Sequence, residues 1–153
     1  MISNDQKNLN SGFGAKSEPS EILDGINLSG KTAIVTGGYS GIGIETTRAL
    51  SEAGASVIIP ARRPEEAILA LDGIISKDHV FEMDLSDLES IKRFTNLVKN
   101  NLSLNILINN AGSILYKTIQ DTTDDDFDKI FSVNVKGTFN TLREAASRLE
   151  NDG

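Results

Sequence analysis

Four glycines lie within residues 36–43, which read Thr-Gly-Gly-Tyr-Ser-Gly-Ile-Gly. The apolar run 33–35 precedes them, and apolar residues at helical spacing follow from Ile42. Glycine adopts positive φ and lets the oxygens of a ligand approach backbone N–H groups, while the N-terminus of a helix favours an anion. A tight turn is the alternative, and the spacing differs from the better-known G-x-G-x-x-G fingerprint. We interpret the stretch as a loop that receives the pyrophosphate of a dinucleotide.

Two arginines follow the second apolar run, in the stretch Pro60-Ala61-Arg62-Arg63. An NAD site has an acidic residue about 20 residues beyond the glycines to bind the ribose 2′-hydroxyl, whereas an NADP site has arginine there for the 2′-phosphate. No acidic residue comes before Glu65 in this stretch. The planar guanidinium group suits a phosphate. The sequence therefore predicts NADP(H) rather than NAD(H), with Arg62 or Arg63 as the contact. Solvated surface arginines are the alternative.

The elements that would position these residues alternate along the chain. Apolar runs predict strands and apolar residues at helical spacing predict helices, in the order strand 32–35, helix 42–53, strand 57–59, helix 64–71, strand 79–83, helix 86–98, strand 105–108 and helix 123–149. Ser86, with Glu89 three residues later, is expected to cap the third helix. The order predicts an α/β fold: a Rossmann-type, doubly wound parallel sheet that is incomplete, with about four strands in the order 3-2-1-4 and flanking helices. Ligands of such sheets bind at the carboxyl ends of the strands, where the loops are 36–43, 60–63, 84–85 and 109–113.

The final predicted helix carries the side-chain amide of Asn134 on its apolar side. Thr123 or a nearby residue is expected to cap it, and the acidic run 124–126 suits a helix N-terminus better than a metal site. Asn134 falls on the apolar stripe of residues 127–149, where a side-chain amide would be buried and would need partners. Gly137 costs about 1 kcal/mol relative to alanine within a helix, which predicts close packing or a bend at this position.

Charge and composition exclude several classes of function. A net charge of -7 over 153 residues is unfavourable for a sequence-independent grip on nucleic acid or on an anionic membrane surface. The chain has no cysteine, and the single His79 cannot form a metal cluster by itself, so no metal site is expected. No apolar run reaches the roughly 18 residues of a membrane span, and the N-terminus lacks the pattern of a signal peptide. We therefore expect a cytoplasmic location.

The sequence predicts one domain preceded by an arm. Residues 1 to 20 are rich in Ser, Asn, Gly and Lys and have few apolar side chains, so they cannot bury enough surface to offset the cost of ordering. We expect residues 1–26 to form a mobile arm with a short helical turn at 21–25. Residues 27–153 then form the dinucleotide-binding domain.

Four motifs follow one another at the predicted strand ends and on the final helix. They are Thr36-Gly37-Gly38-x-x-Gly41-x-Gly43, then Asp84-Leu85, then Asn109-Asn110-Ala111-Gly112, and then Asn134 within Val133-Asn134-Val135-Lys136-Gly137. In this order they resemble the short-chain dehydrogenase/reductase family, from about residue 27 onwards. Residues 13–25 are similar to the lead-in of its retinol-dehydrogenase-like branch and bacterial relatives. The resemblance implies an oxidoreductase that transfers hydride between NADPH and a small-molecule carbonyl or secondary alcohol, in a family whose members often form homo-oligomers.

The resemblance also implies roles for individual residues. It assigns the pyrophosphate to Gly37, Ser40, Gly41, Ile42 and Gly43. Asp84 and Leu85 would border the adenine. Asn110, Ala111 and Gly112 would line the adenosine side. Asn134 matches the catalytic-type asparagine that holds a water in the family's proton relay. A structural asparagine bonded to helix backbone is the alternative.

One part of the family pattern has no counterpart in this sequence. The family's proton donor is a tyrosine with a lysine four residues later, and a serine holds the substrate oxygen. Here Tyr39 and Tyr116 are followed four residues later by Gly43 and Gln120. We expect the sequence to be an N-terminal fragment, truncated before the catalytic segment and inactive alone. The alternatives are a stand-alone NADP-binding or redox-sensing module and a split enzyme completed by another polypeptide.

Overall fold

The computed structural model describes residues 11–99 and 103–146 and shows strands alternating with helices. In chain order the elements are α1 (Pro19–Ile22), β1 (Thr32–Thr36), α2 (Ile42–Glu52), β2 (Ser56–Ala61), α3 (Pro64–Ala70), β3 (Val80–Glu82), α4 (Leu88–Val98), β4 (Ile106–Asn109), α5 (Asp124–Phe131) and α6 (Thr138–Ala145). A 3₁₀ turn, Lys77–His79, precedes β3, and a π-helical turn, Ser132–Gly137, joins α5 to α6. Residues 1–10 of the expected mobile arm lie outside the described residues.

The strands form one parallel sheet in the order β3-β2-β1-β4. The register places Ile34 of β1 beside Ile58 of β2 on one side and beside Leu107 of β4 on the other. The predicted α/β fold and the strand order 3-2-1-4 are thereby confirmed. All the strand ends that carry the predicted ligand loops point to the same edge of the sheet, because the strands are parallel.

Apolar layers cover both faces of the central strands. On one face, Ile58 of β2 packs in a cluster with Phe94 of α4. On the other face, Ile59 packs in a second cluster with Leu50 of α2. Successive side chains of a strand point to opposite faces, so a strand that is covered on both faces needs an unbroken apolar run. The runs in β1 and β2 meet this requirement, and the loops that follow them therefore start from fixed, buried strand ends.

Two local predictions were wrong. The cap of α4 is Asp87, whose Oδ1 accepts from the Glu89 N–H at 2.9 Å, and not Ser86. Ser86 instead donates from its N–H and from its hydroxyl to Asp84 Oδ1, at 2.8 and 2.7 Å. The third strand is also shorter than expected, because His79 belongs to the preceding 3₁₀ turn. Aspartate and serine both make good caps, so spacing alone did not distinguish them.

The final helix begins as predicted but is not continuous, and no residue of its first part, α5, is buried. Thr123 caps α5, and its hydroxyl accepts from the Asp126 N–H at 3.2 Å. The π-helical turn then interrupts the helix. Phe127 and Phe131 stack on each other with their ring centres 5.2 Å apart, and both remain exposed. These rings remain exposed because α5 lies beyond the edge of the sheet, where β4 is the last strand. Helix α6 contacts α4 and β4, whereas α5 contacts mainly the π-helical turn.

Two further findings concern membrane-spanning helices and metal-ligating side chains. Within residues 11–99 and 103–146, no helix combines the length and the apolar character that a membrane crossing requires. The same residues contain no group of three or more metal-ligating side chains.

Asp126 makes the start of α5 sensitive to acid. Its Oδ2 accepts from Lys117 Nζ at 2.6 Å and from the Thr123 hydroxyl at 2.8 Å. The Lys117 contact first, and then those to Thr123, hold the pKa of Asp126 well below its usual range. A carboxyl with a depressed folded-state pKa stabilises the fold above its unfolded pKa, near 3.9, and loses that contribution as the pH falls further.

We therefore expect Asp126→Asn to be less stable than the native chain at pH 7. The difference in the free energy of unfolding should shrink as the pH falls below about 4. Urea unfolding at a series of pH values measures it. Asp125→Asn is the matched control, because the Asp125 side chain is exposed on the same turn. Equal stability of Asp126→Asn and the native chain at pH 7 would contradict the prediction.

Candidate functional site

A cavity of about 400 Å³ opens at the carboxyl ends of the strands. It is lined by residues from the loop after β1, the end of β2, the loop after β3, the loop after β4 and the π-helical turn: Gly37, Tyr39, Ser40, Ile42, Pro60, Arg62, Met83, Asp84, Leu85, Asn110, Ala111, Gly112, Ser113 and Val133. Cavities of this size are typical of small-molecule sites, and parallel α/β sheets bind ligands at this edge.

Residues 36–43, which we call the glycine loop, contain two glycines at which a Cβ would run into backbone atoms. Gly37 has φ +64°, and a Cβ there would lie 2.9 Å from Ala111 Cα. A Cβ on Gly43 would collide with the carbonyl oxygen of Gly37 and would lie 2.5 Å from Asn110 Nδ2. Real Cβ atoms do not approach this closely, so glycine is required for the loop to close on the N-terminus of α2. The backbone of the loop thereby forms one wall of the cavity.

Thr36 and Asn110 tie the glycine loop to the loop after β4. The Thr36 hydroxyl accepts from the N–H groups of Asn110 and Ala111, at 3.2 and 3.1 Å. The Asn110 side chain donates in return from Nδ2 to the carbonyl oxygens of Thr36 and Gly37, at 3.3 and 3.2 Å. Thr36 is fully buried. These four contacts hold two loops that are far apart in sequence in one fixed arrangement.

The two arginines after β2 have different surroundings. Arg62 is exposed and lines the cavity. Arg63 precedes α3 and pairs with Glu66, with Nη1 2.7 Å from Oε1, and it does not line the cavity. Arg62 has no ion pair within the described part of the chain. Of the two residues that the sequence left open, the geometry favours Arg62 as a contact for a ligand in the cavity.

The loop after β3 is braced from two sides. Ser90 Oγ accepts from the Asp84 N–H at 3.0 Å, and Asp84 Oδ1 accepts from Ser86 as described above. A Cβ on Gly137 would lie 3.0 Å from Leu85 Cβ and 3.1 Å from its carbonyl oxygen. The close packing expected at Gly137 is therefore present, and it sets the π-helical turn against this loop.

Asn134 is exposed, so the prediction that it would be buried was wrong. Its amide is nevertheless paired twice with one residue: Oδ1 accepts from the Ser113 N–H at 2.7 Å, and Nδ2 donates to the Ser113 carbonyl oxygen at 2.9 Å. The partner is thus a loop backbone and not the helix backbone that the structural alternative assumed. One lone pair and one amide hydrogen of Asn134 remain for other contacts. A π-helical turn inside an α-helix is often found at a functional site.

The cavity gathers nine of the predicted site residues: Gly37, Ser40, Ile42, Arg62, Asp84, Leu85, Asn110, Ala111 and Gly112. Gly41, Gly43, Arg63 and Asn134 do not line it. Ile42, the first residue of α2, is 82% exposed and lines the cavity. Five lining residues were missed in the sequence: Tyr39, Pro60, Met83, Ser113 and Val133. Four of them adjoin a predicted site residue, and Pro60 lies two positions before Arg62, so adjacency was the signal that could have found them.

A larger cavity of about 540 Å³ lies between the sheet and helices α4 and α6. Its lining is mostly core side chains such as Ile34, Ile58 and Phe94, and it shares only Met83 with the first cavity. Of residues 36–43, only Thr36 lines it. The smaller cavity is the candidate site, because the glycine loop and the loops at the carboxyl ends of the other strands line it, and parallel α/β sheets bind ligands at that edge.

Comparisons with known proteins identify the family of the chain. The short chain dehydrogenase family profile matches residues 31–153. Elsinochrome reductase 1 of Elsinoe fawcettii is 33% identical over 138 residues, covering 87% of this chain and 52% of the relative. The chloroplastic short-chain dehydrogenase TIC 32 B of Brassica napus is 36% identical over 135 residues, covering 84% and 42%.

A solved dehydrogenase/reductase from Sinorhizobium meliloti 1021 superposes with a TM-score of 0.76 at 30% identity, covering 87% of this chain and 55% of that one. The chain thus spans about half the length of the relatives that it matches. The profile match covers most of the sequence, and the strand order and loop positions are consistent with it. The chain belongs to the short-chain dehydrogenase/reductase family of oxidoreductases.

Proposed function

We propose that this chain forms the NADP(H)-binding part of an oxidoreductase that acts on a carbonyl or secondary alcohol of a small molecule. One observation carries the proposal: Arg62 and the glycine loop line the same cavity. No acidic residue occurs among residues 56–63, where an NAD site would have one to bind the ribose 2′-hydroxyl. A guanidinium group at that position favours the 2′-phosphate of NADP.

The residues present fit a dinucleotide. The absence of side chains at Gly37 and Gly43 lets the glycine loop close tightly, and a Cβ on Gly41 would meet nothing within 4 Å. This leaves an open approach to the N-terminus of α2, where the helix dipole favours a pyrophosphate. Ser40 and Ile42 line the approach, and Arg62 would contact the 2′-phosphate.

The opposite wall suits the adenosine portion. Asp84 and Leu85 would border the adenine, since Asp84 has one carboxylate oxygen engaged by Ser86 and a second one to accept from an exocyclic amine. Asn110, Ala111 and Gly112 would line the adenosine side, held in place by their contacts to Thr36 and Gly37. When bound, NADPH would supply the hydride for reduction of a carbonyl carbon.

Asn134 is proposed as the one catalytic-type residue of this chain. Its side chain is exposed to water, and its two bonds to Ser113 fix the orientation of the amide. An oriented amide with one free lone pair and one free N–H can hold a water molecule. The residue would thus hold a water beside the cavity wall that Ser113 and Val133 form.

A second candidate is a nucleotide-binding or redox-sensing module that does not catalyse a reaction. It is favoured by the sequence around Tyr39 and Tyr116, neither of which has a lysine four residues later. Tyr116 is also 89% exposed, on a loop away from the cavity lining. On either candidate, this chain alone should bind NADPH without reducing carbonyl compounds.

Equilibrium titration of the full chain with NADPH and with NADH tests the proposal, and the fluorescence of the reduced nicotinamide reports binding. We expect NADPH to bind more tightly, and we expect no NADPH oxidation when a carbonyl compound is added. Tighter binding of NADH, or binding of neither, would overturn the proposed cofactor. A monomeric chain with micromolar affinity for NADPH would favour the sensing module over the oxidoreductase part.

A further inference from the structure

Tyr39 is a cavity residue with no role assigned so far. Its side chain is half-buried and packs against the apolar cluster that contains Val57 and Ile59 of β2. It also lines the cavity together with Arg62. The preceding Gly38 lies against the same strand, because a Cβ there would be 2.6 Å from Ile59 Cδ1. The glycine loop thus brings Tyr39 to the side of the cavity where β2 ends and Arg62 follows.

The hydroxyl of Tyr39 has no hydrogen-bond partner within residues 11–99 and 103–146. The ring is anchored by its apolar contacts, so a hydrogen bond from the hydroxyl would cost little side-chain entropy. A phenol that is held in this way donates readily to an anion.

A phosphate beside Arg62 needs more than one donor residue. The guanidinium fork satisfies two phosphate oxygens and leaves the third. Arg62 and Asp84 are the charged side chains in the cavity lining, and Arg63 is paired with Glu66 outside it. The remaining hydroxyl donors in the lining are Tyr39, Ser40 and Ser113. Ser113 follows β4, which pairs with the edge of β1 opposite to β2.

Ser40 is exposed and has no apolar anchor among the core clusters. Tyr39 is therefore the donor that is both fixed in place and on the side of Arg62. We propose that Tyr39 is a specificity-determining residue whose hydroxyl donates to the adenosine 2′-phosphate beside Arg62. This inference rests on the proposed NADP(H) function, because it concerns the same phosphate.

Tyr39→Phe in the full chain tests the inference, with adenosine 2′,5′-bisphosphate and 5′-AMP as probes that differ only in the 2′-phosphate. Loss of one charge-assisted hydrogen bond should weaken binding of the bisphosphate by roughly tenfold. Binding of 5′-AMP should not change. Tyr116→Phe is the matched control, because it removes the hydroxyl of the other tyrosine, which is exposed and outside the cavity.

The outcomes separate the inference from the function on which it rests. If the native chain prefers the bisphosphate and Tyr39→Phe reduces that preference by roughly tenfold, the inference is supported. If the native chain prefers the bisphosphate and Tyr39→Phe keeps the full preference, the inference is overturned while the NADP(H) function stands. If the native chain binds the two probes equally, both are overturned. Thermal unfolding of the unliganded variants establishes that each one is folded.

Discussion

Replacing Arg62 with alanine should weaken NADPH binding by roughly 100-fold, because two charge-assisted hydrogen bonds to the 2′-phosphate are lost together. NADH binding should change by less than about twofold, since NADH has no 2′-phosphate at that position. Arg62 is exposed and has no ion pair in the described part of the chain, so its removal should leave stability nearly unchanged. Titration of both nucleotides into the variant measures the change in selectivity.

Arg63→Ala is the matched control. Arg63 is adjacent in sequence and carries the same charge, yet it pairs with Glu66 and does not line the cavity. Its removal should reduce NADPH affinity by no more than about threefold, through the loss of long-range attraction. Arg62→Lys should fall between the native chain and the alanine variant, because an ammonium cannot bind a phosphate as a two-pronged fork. An equal loss in Arg62→Ala and Arg63→Ala would contradict the assignment.

The largest stability effect should come from Gly43→Ala. The added Cβ would collide with the Gly37 carbonyl oxygen and crowd Asn110 Nδ2, so either the glycine loop or the start of α2 must shift. Overpacking of this kind costs about 3 kcal/mol when backbone has to move. The displaced loop should also lose most of its affinity for NADPH. Urea unfolding and nucleotide titration of the same variant measure both losses.

Gly14→Ala serves as its control, since a Cβ at Gly14 would meet nothing within 4 Å and Gly14 is not a positive-φ residue. The free energy of unfolding should then change by less than about 0.5 kcal/mol. If Gly43→Ala were as stable as Gly14→Ala, the crowding around Gly43 would not be what holds the glycine loop in place.

The sheet could be predicted from the sequence because its signals are local. The unalternating apolar runs of β1 and β2 report burial on both faces, and glycines with turn chemistry mark where these strands end. The alternation of strands and helices then limits the connections to parallel neighbours. The candidate site followed from the same signals, since every loop that contributes to the cavity begins at a strand end.

What the sequence did not reveal depends on contacts between distant segments. Asn134 was expected to be buried because its spacing matches an apolar stripe, but the helix passes the edge of the sheet and the amide pairs with Ser113 instead. Likewise, the sequence did not distinguish Arg62 from Arg63, because the difference lies in the cavity that Arg62 lines and in the ion pair between Arg63 and Glu66. Periodicity indicates which face of an element is apolar, but it does not indicate what that face meets.

The hydroxyl of Thr36 has a consequence for the order of folding. It binds the N–H groups of Asn110 and Ala111, which are 74 and 75 residues away in the chain. Contacts this distant in sequence require a long loop to close, which lowers the entropy of the chain and slows their formation. We therefore expect the glycine loop, although it is a local sequence motif, to reach its final shape late, when β4 joins β1. Pulse-labelling hydrogen exchange should register this as late protection of the Asn110 and Ala111 amides, after those of β1 and β2 are already protected.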